Sequence, residues 1–154
     1  GGFRVHDRRI AVVHGRGAGM VETTEVGRKI LKILVVDDEP HIREVLQQLL
    51  ETEGYMTAGA DSGAEALELV REFIPHIVFL DIRMPEMDGI QCLRRIKELE
   101  PTVEVVMISG FATIEMAKRA LEIGAFDYIG KPLSFDHIRD VIRQISITKF
   151  VEFM

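Results

Sequence analysis

From Ile30 onward the chain repeats one pattern five times: a short aliphatic run, then a longer stretch whose apolar residues recur every three or four positions. The runs are 30–36 (ILKILVV), 55–59 (YMTAG), 76–80 (HIVFL), 103–108 (VEVVMI) and 125–129 (AFDYI). Short segments rich in Val and Ile read as strands buried on both faces. The run 55–59, with its small residues, reads as a weaker strand at a sheet edge. Between the runs, apolar residues mark one face of each helix. They are Ile42, Val45, Leu46 and Leu49, then Ala66, Leu67, Val70 and Phe73, then Ile90, Leu93 and Ile96. Ile114, Ala117, Ala120 and Leu121 follow, and last Ile138, Val141, Ile142 and Ile145. Ser62, Thr113 and Ser134 stand where helix caps belong, and Glu53-Gly54, Pro75, Pro101 and Gly124 where helices stop. Buried strands alternating with helices require a parallel sheet covered on both faces, and right-handed crossovers leave few topologies. The expected fold is α/β: a doubly wound five-stranded parallel sheet of order 2-1-3-4-5.

Composition supports one globular domain: 154 residues, 47% hydrophobic and 29% charged. No run approaches the ~18 apolar residues of a membrane-spanning helix. The single cysteine, Cys92, cannot form an internal disulfide, which suits a reducing cytoplasm. The net charge of −6 is unevenly spread. Residues 1–29 carry six Lys/Arg against three Asp/Glu, whereas the remainder carries 13 against 22. So acidic a body has no general electrostatic reason to bind nucleic acid.

The basic head has a different composition and is read separately. Gly15, Gly17 and Gly19 suggest a nucleotide loop, but Met20 stands where a dinucleotide fingerprint needs its third glycine. The apolar stretch Ile10 to Val13 is too short for a signal peptide. Residues 1–29 are therefore expected to be a poorly ordered or appended extension, with Met20 a candidate start. Residues 30–147 are the expected domain and 148–154 a tail that extends the last helix or meets a partner.

In doubly wound sheets ligands bind beyond the carboxyl ends of the strands, at the switch in strand order. Asp37, Asp38 and Glu39 follow the first strand, and Asp81 follows the third. Ser109 ends the fourth, and Lys131-Pro132 follows the fifth. With the first and third strands adjacent, Asp37, Asp38 and Asp81 converge. Three carboxylates together need a cation, and oxygen-only ligands favour magnesium. Asp81 would keep an oxygen free as nucleophile, while Lys131 and Ser109 could hold the oxygens of an incoming phosphoryl group. Singly, each residue is an ordinary cap or turn residue; the constellation carries the reading.

The segments LVVDDEP (34–40), VFLDIRMPEMDG (78–89), MISGFA (107–112) and FDYIGKPL (126–133) resemble the receiver domains of bacterial two-component response regulators. The resemblance covers residues 31–147 and implies the flavodoxin-like receiver fold. It implies that Asp81 accepts the phosphoryl group from the phosphohistidine of a sensor histidine kinase. It further implies magnesium held by Asp38 and Asp81, by Asp37 mainly through water, and by the backbone carbonyl of Arg83. Ser109 and Tyr128 match the switch residues, Lys131 the phosphate-binding lysine, and Lys131–Pro132 the usual cis bond. The surface read by a partner would be the fourth helix, fifth strand and fifth helix. Such a domain is a signalling device rather than an ordinary enzyme. It is expected in the cytoplasm, as a monomer or phosphorylation-dependent dimer, away from membranes and without direct contact to nucleic acid. Arg83 and Phe111 stand where the family tunes hydrolysis; neither suits orienting water, so a long-lived acyl phosphate is expected.

Two other readings compete. A haloacid-dehalogenase-type phosphatase also uses an aspartate nucleophile, but Arg83 stands where its general acid belongs. A degenerate receiver acting as a binding scaffold would lack the complete site. The segments ISGFAT and GAFDYIGKPL resemble receivers attached to enhancer-binding transcription activators, leaving the output open. His41, His76 and His137 have no partners at metal-ligand spacing. Met84 and Met87 are expected to shape a loop, and Cys92 to be a partly buried thiol.

Overall fold

A computed structural model describes residues 3–4, 30–83, 87–110 and 113–153. Its strands are β1 (Phe3–Arg4), β2 (Lys32–Val36), β3 (Met56–Ala60), β4 (Ile77–Asp81), β5 (Glu104–Ser109) and β6 (Asp127–Gly130). The helices are α1 (Pro40–Thr52), α2 (Gly63–Glu72), α3 (Gly89–Leu99), α4 (Ile114–Ile123) and α5 (Phe135–Phe153). The sheet order is β1-β3-β2-β4-β5-β6. Strands β2 to β6 are all parallel, which is the expected 2-1-3-4-5 order of the five repeated units. The added β1 lies antiparallel on β3, Phe3 opposite Ala58 and Arg4 opposite Thr57, so the head contributes a strand that its composition did not signal. The glycine cluster at 15–19 lies outside the described residues.

Period-two alternation sends the strand side chains to two cores. Leu34, Val36, Val78 and Leu80 pack under Val70, Leu93, Ile96 and Ala120 of α2, α3 and α4. Ile33, Val35, Ile77 and Phe79 pack under Leu46, Leu50, Ile138 and Ile142 of α1 and α5. Each of these Val, Leu, Ile and Phe side chains contributes about 1.5–3 kcal/mol on burial. The central strands are buried on both faces because helices cover both, as the aliphatic runs require.

Caps fall where the sequence placed them. Ser62 Oγ accepts from the Glu65 N–H at 3.2 Å, Thr113 Oγ1 from Met116 at 3.1 Å and Ser134 Oγ from His137 at 3.3 Å. Helix α2 ends before Pro75, at Glu72, and the chain turns through Ile74 at φ +52°. A β-branched residue is strained in that left-handed region. Helix α5 continues through residue 153, so the expected tail prolongs it, and Lys149 of that extension donates to the Thr102 carbonyl.

Two helical faces differ from the periodic reading. On α1 the buried residues are Leu46, Gln47, Leu50 and Glu51, while Val45 is 40% exposed. The cause lies on β3: Thr57 accepts from Gln47 Nε2 at 3.1 Å and donates to Glu51 at 2.6 Å, so two polar side chains are satisfied inside. On α4 only Ala120 is buried, and Ile114 and Leu121 face outward. His76 is structural: its Nδ1 accepts from the Lys32 N–H at 3.0 Å and its own N–H donates to the Lys32 carbonyl at 2.8 Å. Cys92 is fully buried rather than partly, and burial pushes its thiol up to about 12. Among the described residues, no helix is long and apolar enough to cross a membrane.

Candidate functional site

Asp37, Asp38, Asp81, Ser109 and Lys131 sit at the carboxyl end of the sheet. Asp37 follows β2 and is almost fully buried. Its N–H donates to the Ala60 carbonyl at 3.1 Å, its Oδ1 accepts from the Glu39 N–H at 2.9 Å, and its carbonyl accepts from Arg43 at 2.7 Å. That carboxylate is thus held pointing inward, while Asp38 beside it is exposed. Asp81 is the last residue of β4 and also buried. Its Oδ1 accepts from the Arg83 N–H at 3.2 Å. Gly89 keeps α3 close behind it: its N–H donates to the Ile82 carbonyl at 2.8 Å, and a Cβ there would lie 2.4 Å from Ile82 Cα.

From the other side, Lys131 reaches across the cluster. Its Nζ lies 3.2 Å from Asp37 Oδ2, 3.4 Å from Glu39 Oε1 and 3.8 Å from Asp81 Oδ2. The Lys131 N–H donates to the Ser109 carbonyl at 2.8 Å, which ties the end of β6 to that of β5. Ser109 itself is buried. The Lys131–Pro132 bond is cis, as the resemblance implied. Glu39 was noted in the sequence without a role; its ion pair with Lys131 depends on the turn geometry, which spacing alone does not define.

Electrostatics follow from this crowding. Asp37, Asp38 and Asp81 each offer an oxygen, all within 4.8 Å of one another. Burial pushes the Asp81 carboxyl up to about 6, opposed by the Arg83 N–H and reinforced by the neighbouring Asp37 charge. For Lys131, burial lowers the ammonium value, but the carboxylates of Asp37 and Asp81 outweigh it and raise it overall. An all-oxygen donor set, one member exposed and two buried, fits a hard divalent cation that keeps several waters. The cluster opens into a cavity of about 860 Å³ that Asp81, Arg83, Thr113 and Lys131 help line.

Tyr128 on β6 packs against the α2–α4 core, with its hydroxyl buried and without a hydrogen-bond partner among the described residues. The ring that the resemblance expects to turn inward is already inward in this structure. His41 is exposed at the start of α1. Met84 and Phe111 lie outside the described residues.

Comparison with known proteins agrees with this geometry. Residues 33–143 match the response regulator receiver domain family. The transcriptional regulatory protein ZraR of Escherichia coli is 44% identical over 114 residues, 74% of this chain but 26% of that protein. The chain thus spans about a quarter of that relative. Sporulation initiation phosphotransferase F of Bacillus subtilis is 36% identical over 113 residues, covering 73% of this chain and 91% of that protein. Among solved structures, the CheX–CheY–BeF3–Mg complex of Borrelia burgdorferi matches with a TM-score of 0.73 and 32% identity, covering 79% of this chain and 92% of that one. Fold, motif positions and sequence identity agree, and the chain belongs to the response regulator receiver domain family.

Proposed function

We propose that this chain accepts a phosphoryl group on Asp81 from the phosphohistidine of a sensor histidine kinase, with magnesium, and so switches the surface of α4, β6 and α5. The observation that carries this reading is the placement of three carboxylate oxygens within 4.8 Å of one another and of the Lys131 ammonium 3.8 Å from Asp81. Asp37, Asp38 and Asp81, with the Arg83 carbonyl, would hold the metal. When bound, it neutralises the carboxylates and the phosphoryl oxygens. That a protein 32% identical was solved as a CheX–CheY–BeF3–Mg complex supports a role for magnesium here.

In the transfer, an Asp81 oxygen attacks phosphorus as the bond from phosphorus to the donor imidazole nitrogen breaks. The imidazole leaves with that electron pair. Lys131 then moves its attraction from the carboxylates to the phosphoryl oxygens, and the Ser109 hydroxyl donates to another. The product adds about −1.5 to −2 charges at the sheet end. Ser109 and Tyr128 couple this change to α4, and a coupling of about 1–3 kcal/mol suffices to shift a two-state surface.

The donor needs a place to sit. An apolar groove of about 250 Å³ runs between α1 and the start of α5, lined by Ile42, Val45, Pro132 and Phe135, and it shares Lys131 with the site. The half-exposed Val45 thus belongs to a surface suited to a kinase helix that presents phosphohistidine. The reading places the chain in the cytoplasm, as a monomer or phosphorylation-dependent dimer, controlling a partner or effector domain without itself binding nucleic acid.

The test is intact-mass measurement after incubation with acetyl phosphate and magnesium. The expected result is one phosphoryl increment, lost with chelator and in Asp81→Asn. An increment that persists in Asp81→Asn would overturn the assignment, and no increment in the unaltered chain would favour a scaffold.

A further inference from the structure

Outside the acceptor site, the acidic body has a basic island. Helices α3 and α4 expose Arg94, Arg95, Lys118 and Arg119, and none of them pairs with an acidic side chain among the described residues. Three other arginines are engaged: Arg139 with Glu53 and Asp136, Arg143 with Asp140 and Arg43 with the Asp37 carbonyl. Two of the unpaired guanidiniums, Arg94 and Arg119, line one cleft of about 380 Å³ together with Gln91. Its remaining lining is mainly apolar: Ile82, Ile90 and Met116. Asp88 is the only acid among the described residues there, and its Oδ1 accepts from the Gln91 N–H at 2.8 Å, where it caps α3.

Two guanidiniums that line one cleft from different helices make it favourable for an anion. Arginine holds carboxylate oxygens by paired N–H donors, and that geometry suits a peptide acid. The apolar lining needs covering as well, which a free inorganic anion cannot do. The volume holds a few side chains, and a nucleic acid would be repelled by the rest of the body. We propose that the cleft between α3 and α4 docks an acidic peptide segment of a partner protein, its carboxylates pairing with Arg94 and Arg119 and an apolar side chain covering Ile90 and Met116. The cleft shares Ile82, Asp88 and Met116 with the acceptor cavity, so the docked segment lies beside Asp81. The docking itself does not depend on the phosphotransfer reading.

The experiment uses the whole chain and a fluorescently labelled peptide of glutamates with interspersed leucines, followed by anisotropy, with amide shifts mapping the contact. Saturable binding is expected, with shifts at Ile82, Ile90 and Met116. Arg94→Ala and Arg119→Ala should each weaken it about tenfold, the scale of one charge-assisted hydrogen-bonded pair. Arg143→Ala, exposed on α5, should leave it unchanged. Replacing the glutamates by glutamine should weaken binding at least as much as either arginine variant. Equal binding by the glutamine peptide, indifference to both arginine variants, or shifts confined to other surfaces would each overturn the proposal. So would inorganic phosphate binding at these arginines with no peptide binding, which would assign the cleft to a small anion.

Discussion

Under the proposed function, the Asp81 carboxyl that would accept the phosphoryl group also bears on stability. Burial chiefly raises its value from 3.8 to about 6. Between those values the folded protein keeps a proton that the unfolded chain has released, so stability is expected to fall as pH rises through that window. Thermal melts in chelator should show this decline, and magnesium should reverse it near neutral pH. Asp81→Asn removes the buried charge, so without magnesium this variant should melt higher than the unaltered protein while accepting no phosphoryl group. A variant that melts lower under those conditions would show that charge crowding does not govern the site. The same trade appears in Tyr128, whose buried hydroxyl lacks a partner among the described residues. Such a group costs about 1–3 kcal/mol, a reserve that a second arrangement of the ring can release.

At the scale of elements, two backbone positions matter most. Gly89 lets α3 start against the end of β4, where a Cβ would meet the backbone of Ile82 at 2.4 Å and the Asp81 carbonyl at 2.7 Å. Backbone cannot yield as a flexible side chain can. Gly89→Ala is therefore expected to cost about 1–3 kcal/mol and to slow phosphorylation of Asp81. Urea titration and acetyl phosphate labelling check the two effects separately. Ile74 shows the opposite case: a β-branched residue at φ +52°, 59% exposed, with no core role to lose. Ile74→Asn should stabilise by about 1 kcal/mol, read as a higher urea midpoint at unchanged slope. The helices α1 and α4 show where periodicity falls short. Spacing identified their apolar residues, but β3 drew Gln47 and Glu51 inward, and α4 presses only Ala120 on the core.

For the whole molecule, the sheet separates two packed cores, and the site lies where the loops of both meet. Helices α1 and α5 cover one face and α2, α3 and α4 the other; under the proposed function, a change at Asp81 would reach α4 through Ser109 and β6 with no refolding. Beryllofluoride with magnesium is accordingly expected to shift amide signals mainly along α4, β6 and the start of α5, leaving β2 and β4 nearly unmoved. Changes spread evenly over both cores would contradict a local switch.

The sequence by itself determined the alternation of elements, the parallel order and the residues at the strand ends. These depend on local period and on the rule that parallel strands direct their carboxyl ends to one side. Asp37, Asp38, Asp81, Ser109 and Lys131 were legible for that reason. Only the tertiary structure decided the pairing of Phe3–Arg4 with β3, the inward polar face of α1, the sparse burial of α4, the full burial of Cys92 and the meeting of Arg94 with Arg119 in one cleft. Each of these is a sum over neighbours distant in the chain, which residue spacing does not contain. The same sum turns three ordinary aspartates into one site, because their repulsion exists only once the sheet has brought them together.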